Sequence, residues 1–135
     1  MKILAIDYGT KRTGFAISDE SKIFAFGLST QETKNNISYL EIIIPKEKID
    51  TIVIGIPKHL NNEPTQIVPK IELFKRQIKN KFPEVKIVDV DERFTSKMAF
   101  QSMIDSGMKK KDRQNKSLID EISATIILQG FLETL

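Results

Sequence analysis

The sequence predicts an α/β fold, a mixed sheet of about five strands with helices on both faces. Three observations carry this. The opening of the chain reads as consecutive strands joined by short turns, and beyond it helically spaced segments alternate with β-branched apolar runs. Two of the runs, Ile3 to Ile6 and Ile52 to Ile54, are apolar at every position, as strands covered on both sides are. With 135 residues, 40% hydrophobic and 29% charged, the chain is most simply one domain, 1–135, around a single core.

Each element follows from local chemistry. Ile3, Leu4, Ala5 and Ile6 form a buried strand that stops at a carboxylate, Asp7. Gly9 and Gly14 bracket Thr10, Lys11, Arg12 and Thr13, a hydroxyl-rich and basic turn, and Gly14 to Ser18 reads as the returning strand. Lys22 to Leu28 fits a third strand, reached through a short Asp19-Glu20-Ser21 turn. Thr33 is placed to cap a helix carrying Ile37, Leu40, Ile43 and Ile44, which Pro45 should end or kink. Thr51 to Ile56 has the strongest strand character, is closed by Pro57, and is expected inside the sheet. After a loop from Lys58 to Pro64, a helix from about Thr65 to Phe82 puts Ile67, Ile71, Phe74 and Ile78 on one stripe. Pro69 offers a later start, because proline suits a first helical turn. Lys86 to Asp91 is a strand that runs into Glu92, Arg93 and Phe94. Thr95 is placed to cap a helix with Met98, Ala99, Met103 and Ile104, stopped at Gly107. Met108 to Lys116 reads as an exposed basic loop. Ser117 then caps a last helix whose Leu118, Ile119, Ile122, Ile126 and Leu132 are expected to face the core.

Composition narrows the chemistry. No cysteine is present, which removes disulfides and thiolate metal sites, and a single histidine, His59, argues against a histidine zinc site. Any metal must be held by oxygen, which selects Mg²⁺ or Mn²⁺. No apolar run has the length of a membrane span and the chain enters a strand at once, so a cytoplasmic protein without membrane attachment is expected. The formal charge of +3 is mild, but its cations cluster late, at Lys109, Lys110, Lys111, Arg113 and Lys116. Asp7 and Glu92 end strands and Asp120 lies in the first turn of the last helix. If the first, fourth and fifth strands are neighbours and that helix packs over their carboxyl ends, the three acids converge. Such a set can hold two ions about 3.5–4 Å apart, which clamp the attacking water and the leaving oxygen of a phosphodiester. Taken singly, each acid also has a structural reading: a turn cap for Asp7, a pair with Arg93 for Glu92, a helix N-terminal acid for Asp120.

As a set these residues resemble a known family. Asp7-Tyr8-Gly9-Thr10-Lys11-Arg12-Thr13-Gly14-Phe15-Ala16-Ile17-Ser18-Asp19, Ile54-Gly55-Ile56-Pro57, Asp91-Glu92-Arg93-Phe94-Thr95 and Asp120-Glu121-Ile122-Ser123-Ala124 resemble the YqgF (RuvX) family in order and spacing across the whole chain. The resemblance implies a ribonuclease H-like fold, related to the RuvC junction resolvases. It also implies a metal-dependent nuclease with Asp7, Glu92 and Asp120 as catalytic and metal-binding triad, acting on precursor 16S rRNA during ribosome biogenesis. Three positions depart from the family pattern. Met98 stands where Glu is usual, removing a capping box with Thr95; Ser123 replaces an Ala; and the loop from His59 to Thr65 keeps little of the family's glycine-containing version.

Lys11 and Arg12 beside Asp7, Arg93 beside Glu92, and the Lys109–Lys116 cluster are the expected nucleic-acid contacts, since a basic loop next to an acidic site draws in a polyanion that the carboxylates repel. The phenylalanines fall mostly at predicted core positions, so no platform for stacking bases is expected. Other readings stay open. A junction resolvase acting on branched DNA would work as a symmetric dimer, and the residues leave monomer and weak homodimer undecided. An RNA-binding ribosome-assembly factor without catalysis would keep the acids only for folding. Asp7-x-Gly-Thr also resembles the phosphate loop of sugar and acetate kinases, but those close two such domains on a nucleotide and this chain has length for one.

Overall fold

The computed structural model describes residues 1–56, 67–91 and 116–135, the side chains of 116 and 117 excepted. In chain order these form β1 (Lys2–Asp7), β2 (Arg12–Ser18), β3 (Ala25–Glu32), a 3-10 turn (Thr33–Asn35), α1 (Asn36–Glu47), β4 (Ile49–Ile56), α2 (Val68–Lys81), β5 (Lys86–Asp91) and α3 (Lys116–Leu132). The strands make one sheet in the order β3-β2-β1-β4-β5. β2 runs antiparallel to β1 and to β3, whereas β4 is parallel to β1 and to β5. This is the mixed five-stranded α/β sheet that the sequence predicts.

Side-chain alternation divides the core in two. Leu4, Ile6, Phe15, Ile52 and Ile54 turn to one face and pack with Leu40, Ile43, Ile44, Ile71, Phe74 and Ile78 of α1 and α2. Ile3, Ala5, Ala16 and Val53 turn to the other face and meet Ala124, Ile127, Leu128 and Leu132 of α3. β1 therefore needs apolar residues at successive positions, and it has them.

Several elements sit differently from the sequence reading. β3 begins at Ala25 rather than Lys22, because the Asp19 carboxylate accepts the backbone N–H of Ile23 at 2.8 Å and of Phe24 at 3.1 Å and holds this stretch as a turn. Lys22 adopts φ 58° there. Pro45 does not end α1, which runs two residues further to Glu47 and closes at Lys48 in the left-handed region. Thr33 does not cap α1; it opens the 3-10 turn, and its hydroxyl goes elsewhere, as described below. Ser117 lies inside α3, which starts one residue earlier. The buried face of α3 is also turned from the expected one: Ser123, Ala124, Ile127, Leu128 and Leu132 are buried, while Leu118, Ile119, Ile122 and Ile126 are half-buried. Apolar residues ring this helix, so periodicity does not fix its rotation; the small pair Ser123 and Ala124 does, by letting it lie close to the sheet. The expected helix after Thr95 and the basic loop from Met108 lie outside the described residues. Among the described residues, no helix is long and apolar enough to cross a membrane.

Candidate active site

The site is built around Gly14. In the β1/β2 ladder Gly14 is the direct partner of Asp7, which puts their Cα atoms about 4.5–5.5 Å apart. From above, α3 descends on the same glycine: a Cβ placed there would stand 2.1 Å from the Asp120 carbonyl oxygen and 3.1 Å from Asp120 Cβ. Only a residue without a side chain lets the helix approach so closely. Alternation along β1 gives Asp7 the α3 face, in line with Ile3 and Ala5, so Asp7 and Asp120 flank one glycine on one side of the sheet. The carboxyl ends of β1, β4 and β5 are level here, with Ile6 opposite Ile54 and Ile56 opposite Asp91. The first, fourth and fifth strands are thus neighbours as expected, although α3 crosses β2, β1 and β3 more than β4 and β5.

Arg12 enters this site from β2, on the same face as Gly14. Its Nε donates to Asp120 Oδ2 at 3.0 Å, with the two side chains 39% and 23% exposed. Arg12 already meets part of this carboxylate's demand for positive charge, and among the described residues no group of three or more acids gathers to hold a metal; the oxygen donors Asp7 and Asp120 are nevertheless of the kind that a hard divalent ion takes. The next acid, Glu121, faces Gly27 of β3, whose added Cβ would lie 3.3 Å from Glu121 Oε1. Burial pushes the Glu121 carboxyl up from its ordinary range.

The opposite face of the hairpin carries a buried polar chain. Thr33 Oγ1 donates to the Gly9 carbonyl at 2.6 Å and lies 2.9 Å from Thr13 Oγ1, while Asn36 Nδ2 donates to Thr13 Oγ1 at 2.8 Å. Each hydroxyl has one proton, so the order is fixed: Asn36 to Thr13, Thr13 to Thr33, Thr33 to Gly9. The Thr33 backbone N–H adds a bond to the Lys11 carbonyl at 2.9 Å. Gly9 is needed in the turn they hold, because a Cβ would meet the Arg12 carbonyl oxygen at 2.2 Å. Sequence reasoning missed Thr13, Thr33 and Asn36; a buried Thr inside a strand facing apolar neighbours was the available signal.

The described residues thus bring Asp7, Arg12 and Asp120 together and leave Lys11 exposed at the tip. Glu92, Arg93, Lys109, Lys110, Lys111 and Arg113 lie outside the described residues, as does the side chain of Lys116.

A family model described as "RuvX: Holliday junction resolvase" matches residues 1–134. The chain belongs to the RuvX family. Among its RuvX relatives, a protein of Flavobacterium psychrophilum is 58% identical over 131 residues, covering 97% of this chain and 96% of the relative. A protein of Bacteroides thetaiotaomicron is 50% identical over 133 residues, covering 98% and 96%. Both carry the name "Putative pre-16S rRNA nuclease". Among solved structures, Thermus thermophilus RuvC in complex with Holliday junction substrate aligns at TM-score 0.58 and 14% identity, over 99% of this chain and 95% of that one. The yeast mitochondrial Holliday junction resolvase Ydc2 aligns at TM-score 0.55 and 11% identity, over 96% and 77%. At such identities the likeness establishes the fold that this RuvX chain shares with them, a ribonuclease H-like α/β sheet.

Proposed function

We propose that this RuvX chain is a metal-dependent endonuclease that cuts a phosphodiester in precursor 16S rRNA, with Asp7, Glu92 and Asp120 holding Mg²⁺ or Mn²⁺. The observation that carries the reading is the meeting of Asp7 and Asp120 over Gly14, at the end of the sheet where β5 also stops. Glu92, outside the described residues, follows Asp91 directly in sequence. The ions would polarise the scissile phosphate and activate water. Around them the chain's own residues have separate tasks. β1 and β2 fix Asp7 on a rigid ladder, Gly14 sets the depth of α3, and Arg12 pairs with Asp120 and holds its carboxylate in place. Lys11, Arg93 and the cations from Lys109 to Lys116 serve to hold the phosphate backbone. The substrate puts the enzyme in the cytoplasm, and RNA is favoured over DNA by the relatives' names.

A second reading, resolution of branched DNA, is favoured by the description of the family model. Incubation with precursor rRNA and with a four-way DNA junction, each with Mg²⁺, Mn²⁺ or EDTA, separates the two. Cutting of the rRNA alone, lost in EDTA, is expected. Cutting of the junction alone transfers the assignment to the resolvase, and binding without cutting in either metal leaves an RNA-binding factor.

A further inference from the structure

The hairpin tip has a second face, and it is cationic. Two clefts, of about 610 Å³ and 460 Å³, meet there and share Thr10 and Lys34. The first continues from the candidate active site through Lys11 and Arg12; the second runs on between α1 and α2 to Lys70. Its floor is firm, because the Tyr8 ring rests on Phe74 of α2 with centroids 5.2 Å apart.

The lining is suited to anions. Lys11, Lys34 and Lys70 are exposed on it, and Lys11 and Lys70 make no ion pair among the described residues. Lys34 pairs with Glu32 at 3.2 Å, but the side chains are 78% and 64% exposed, and a pair so open to water is readily exchanged for a phosphate. Both helices begin on this cleft, α1 with Asn36 and Ile37 and α2 within a turn of Lys70, and neither has an acid in its first turn or a side chain capping it. α1 runs straight on from the 3-10 turn, with the Asn36 N–H bonded to the Thr33 carbonyl, so the positive character of this cleft comes from its lysines. Asn36, 2% exposed on the same cleft, commits its Nδ2 to Thr13, and its buried Oδ1, without a partner, is an acceptor that suits a hydroxyl donor such as a ribose 2′-OH rather than a phosphate.

From this continuity of charge and shape we infer that the clefts form a track for a single RNA strand, which leaves the acidic site at Arg12, rounds the tip past Lys11 and Lys34, and ends at Lys70. The inference rests on the nuclease reading and adds the path of the strand beyond the cut. Lys34 and Lys70 hold phosphates, and Thr10 offers a hydroxyl between them. The track lies on the α1/α2 side of the sheet, away from the α3 side where cleavage is proposed, so it governs affinity rather than the chemical step.

The test is binding of a fluorescein-labelled single-stranded RNA in EDTA, followed by anisotropy as KCl is raised, together with cleavage of the same RNA in Mg²⁺. Replacing both Lys34 and Lys70 with Ala should weaken binding and flatten log Kd against log salt by about 1.4, from roughly 0.7 per phosphate contact on a single strand. Cleavage at saturating RNA should keep the wild-type rate. Lys86→Ala, at the far end of β5, should keep the wild-type slope. A double variant with the slope of wild type overturns the track even if wild type cuts RNA, and so does a lost rate with unchanged binding. Conversely, a flattened slope in a protein that cuts no RNA keeps the track and removes the nuclease reading.

Discussion

Arg12 and Asp120 lie 108 positions apart in sequence and 3.0 Å apart in space. Being partly exposed, the pair contributes at most about 1 kcal/mol to folding. Its larger effect is on the metal, since a divalent ion must compete with the guanidinium for Asp120 Oδ2. Arg12→Ala should therefore cost little stability and enlarge the rise in Tm produced by Mn²⁺, read by thermal melts across a Mn²⁺ titration. Asp7→Asn acts in the opposite sense. It relieves repulsion between crowded carboxylates, so the metal-free protein should melt at the same or a higher temperature, while the gain from Mn²⁺ shrinks and RNA cutting is lost. Asp19 makes a separate test of acid stability. Its carboxyl is held below the ordinary range by the N–H groups of Ile23 and Phe24. A lowered pKa means that the unfolded chain binds the proton first, so the contribution is present above the unfolded value and is lost as pH falls through the folded one. Tm measured from neutral pH down to below about pH 3.9 should fall more steeply for wild type than for Asp19→Asn, whose amide oxygen can still accept both N–H bonds.

Among the elements, α3 depends most on a single residue elsewhere. Gly14→Ala would drive a methyl group to 2.1 Å from the Asp120 carbonyl oxygen. The helix must retreat, at a cost of about 1–3 kcal/mol, the range for overpacking. Urea unfolding should report that loss, and the metal-induced stabilisation should fall with it, because Asp120 moves away from Asp7. The elements also show what a sequence can and cannot tell. β5 occupies Lys86–Asp91 as read, since alternating side chains there face no competing local bond. β3 does not begin where its apolar residues begin, because one carboxylate, Asp19 immediately after β2, claims the N–H groups the strand would have used. Gly14 reads in sequence as the edge of a turn, yet it works inside β2 as the seat of a helix. Its role depends on contact with Asp120, and no local pattern encodes that distance.

On the scale of the molecule, the covering of both faces was legible, because Ile3 to Ile6 of β1 and Ile52 to Ile54 of β4 are apolar at successive positions, while the adjacency of the first, fourth and fifth strands entered the sequence reading only as a condition. Asp7 was legible as a strand end, whereas Asp120, read as a first-turn acid, lies beyond the first turn of α3, which carries no acid, and Glu92 falls outside the described residues. The polar chain from Asn36 to Gly9 was not legible, since it joins three elements through residues that each look like surface or cap positions. The basic cluster belongs to this scale as well, because charge steers a polyanion over distances longer than any contact. Replacing Lys109, Lys110 and Lys111 with Ala should lower the RNA association rate at low salt and flatten the salt dependence of Kd, which stopped-flow anisotropy would measure. An association rate equal to wild type would make these lysines plain solvated residues.

The seating of α3 on Gly14 also fixes an order of events during synthesis. β1 and β2 are neighbours in sequence and can pair as soon as they emerge, whereas Asp120 comes from the last element described and joins them only when that helix has left the ribosome. Until then the sheet shows a bare apolar face of Ile3, Ala5, Ala16 and Val53, and one carboxylate without the other. With Asp7 and Asp120 as the proposed site, a chain still being made would lack one of the two acids, and cutting would have to wait for its completion, sparing the ribosomal RNA around it.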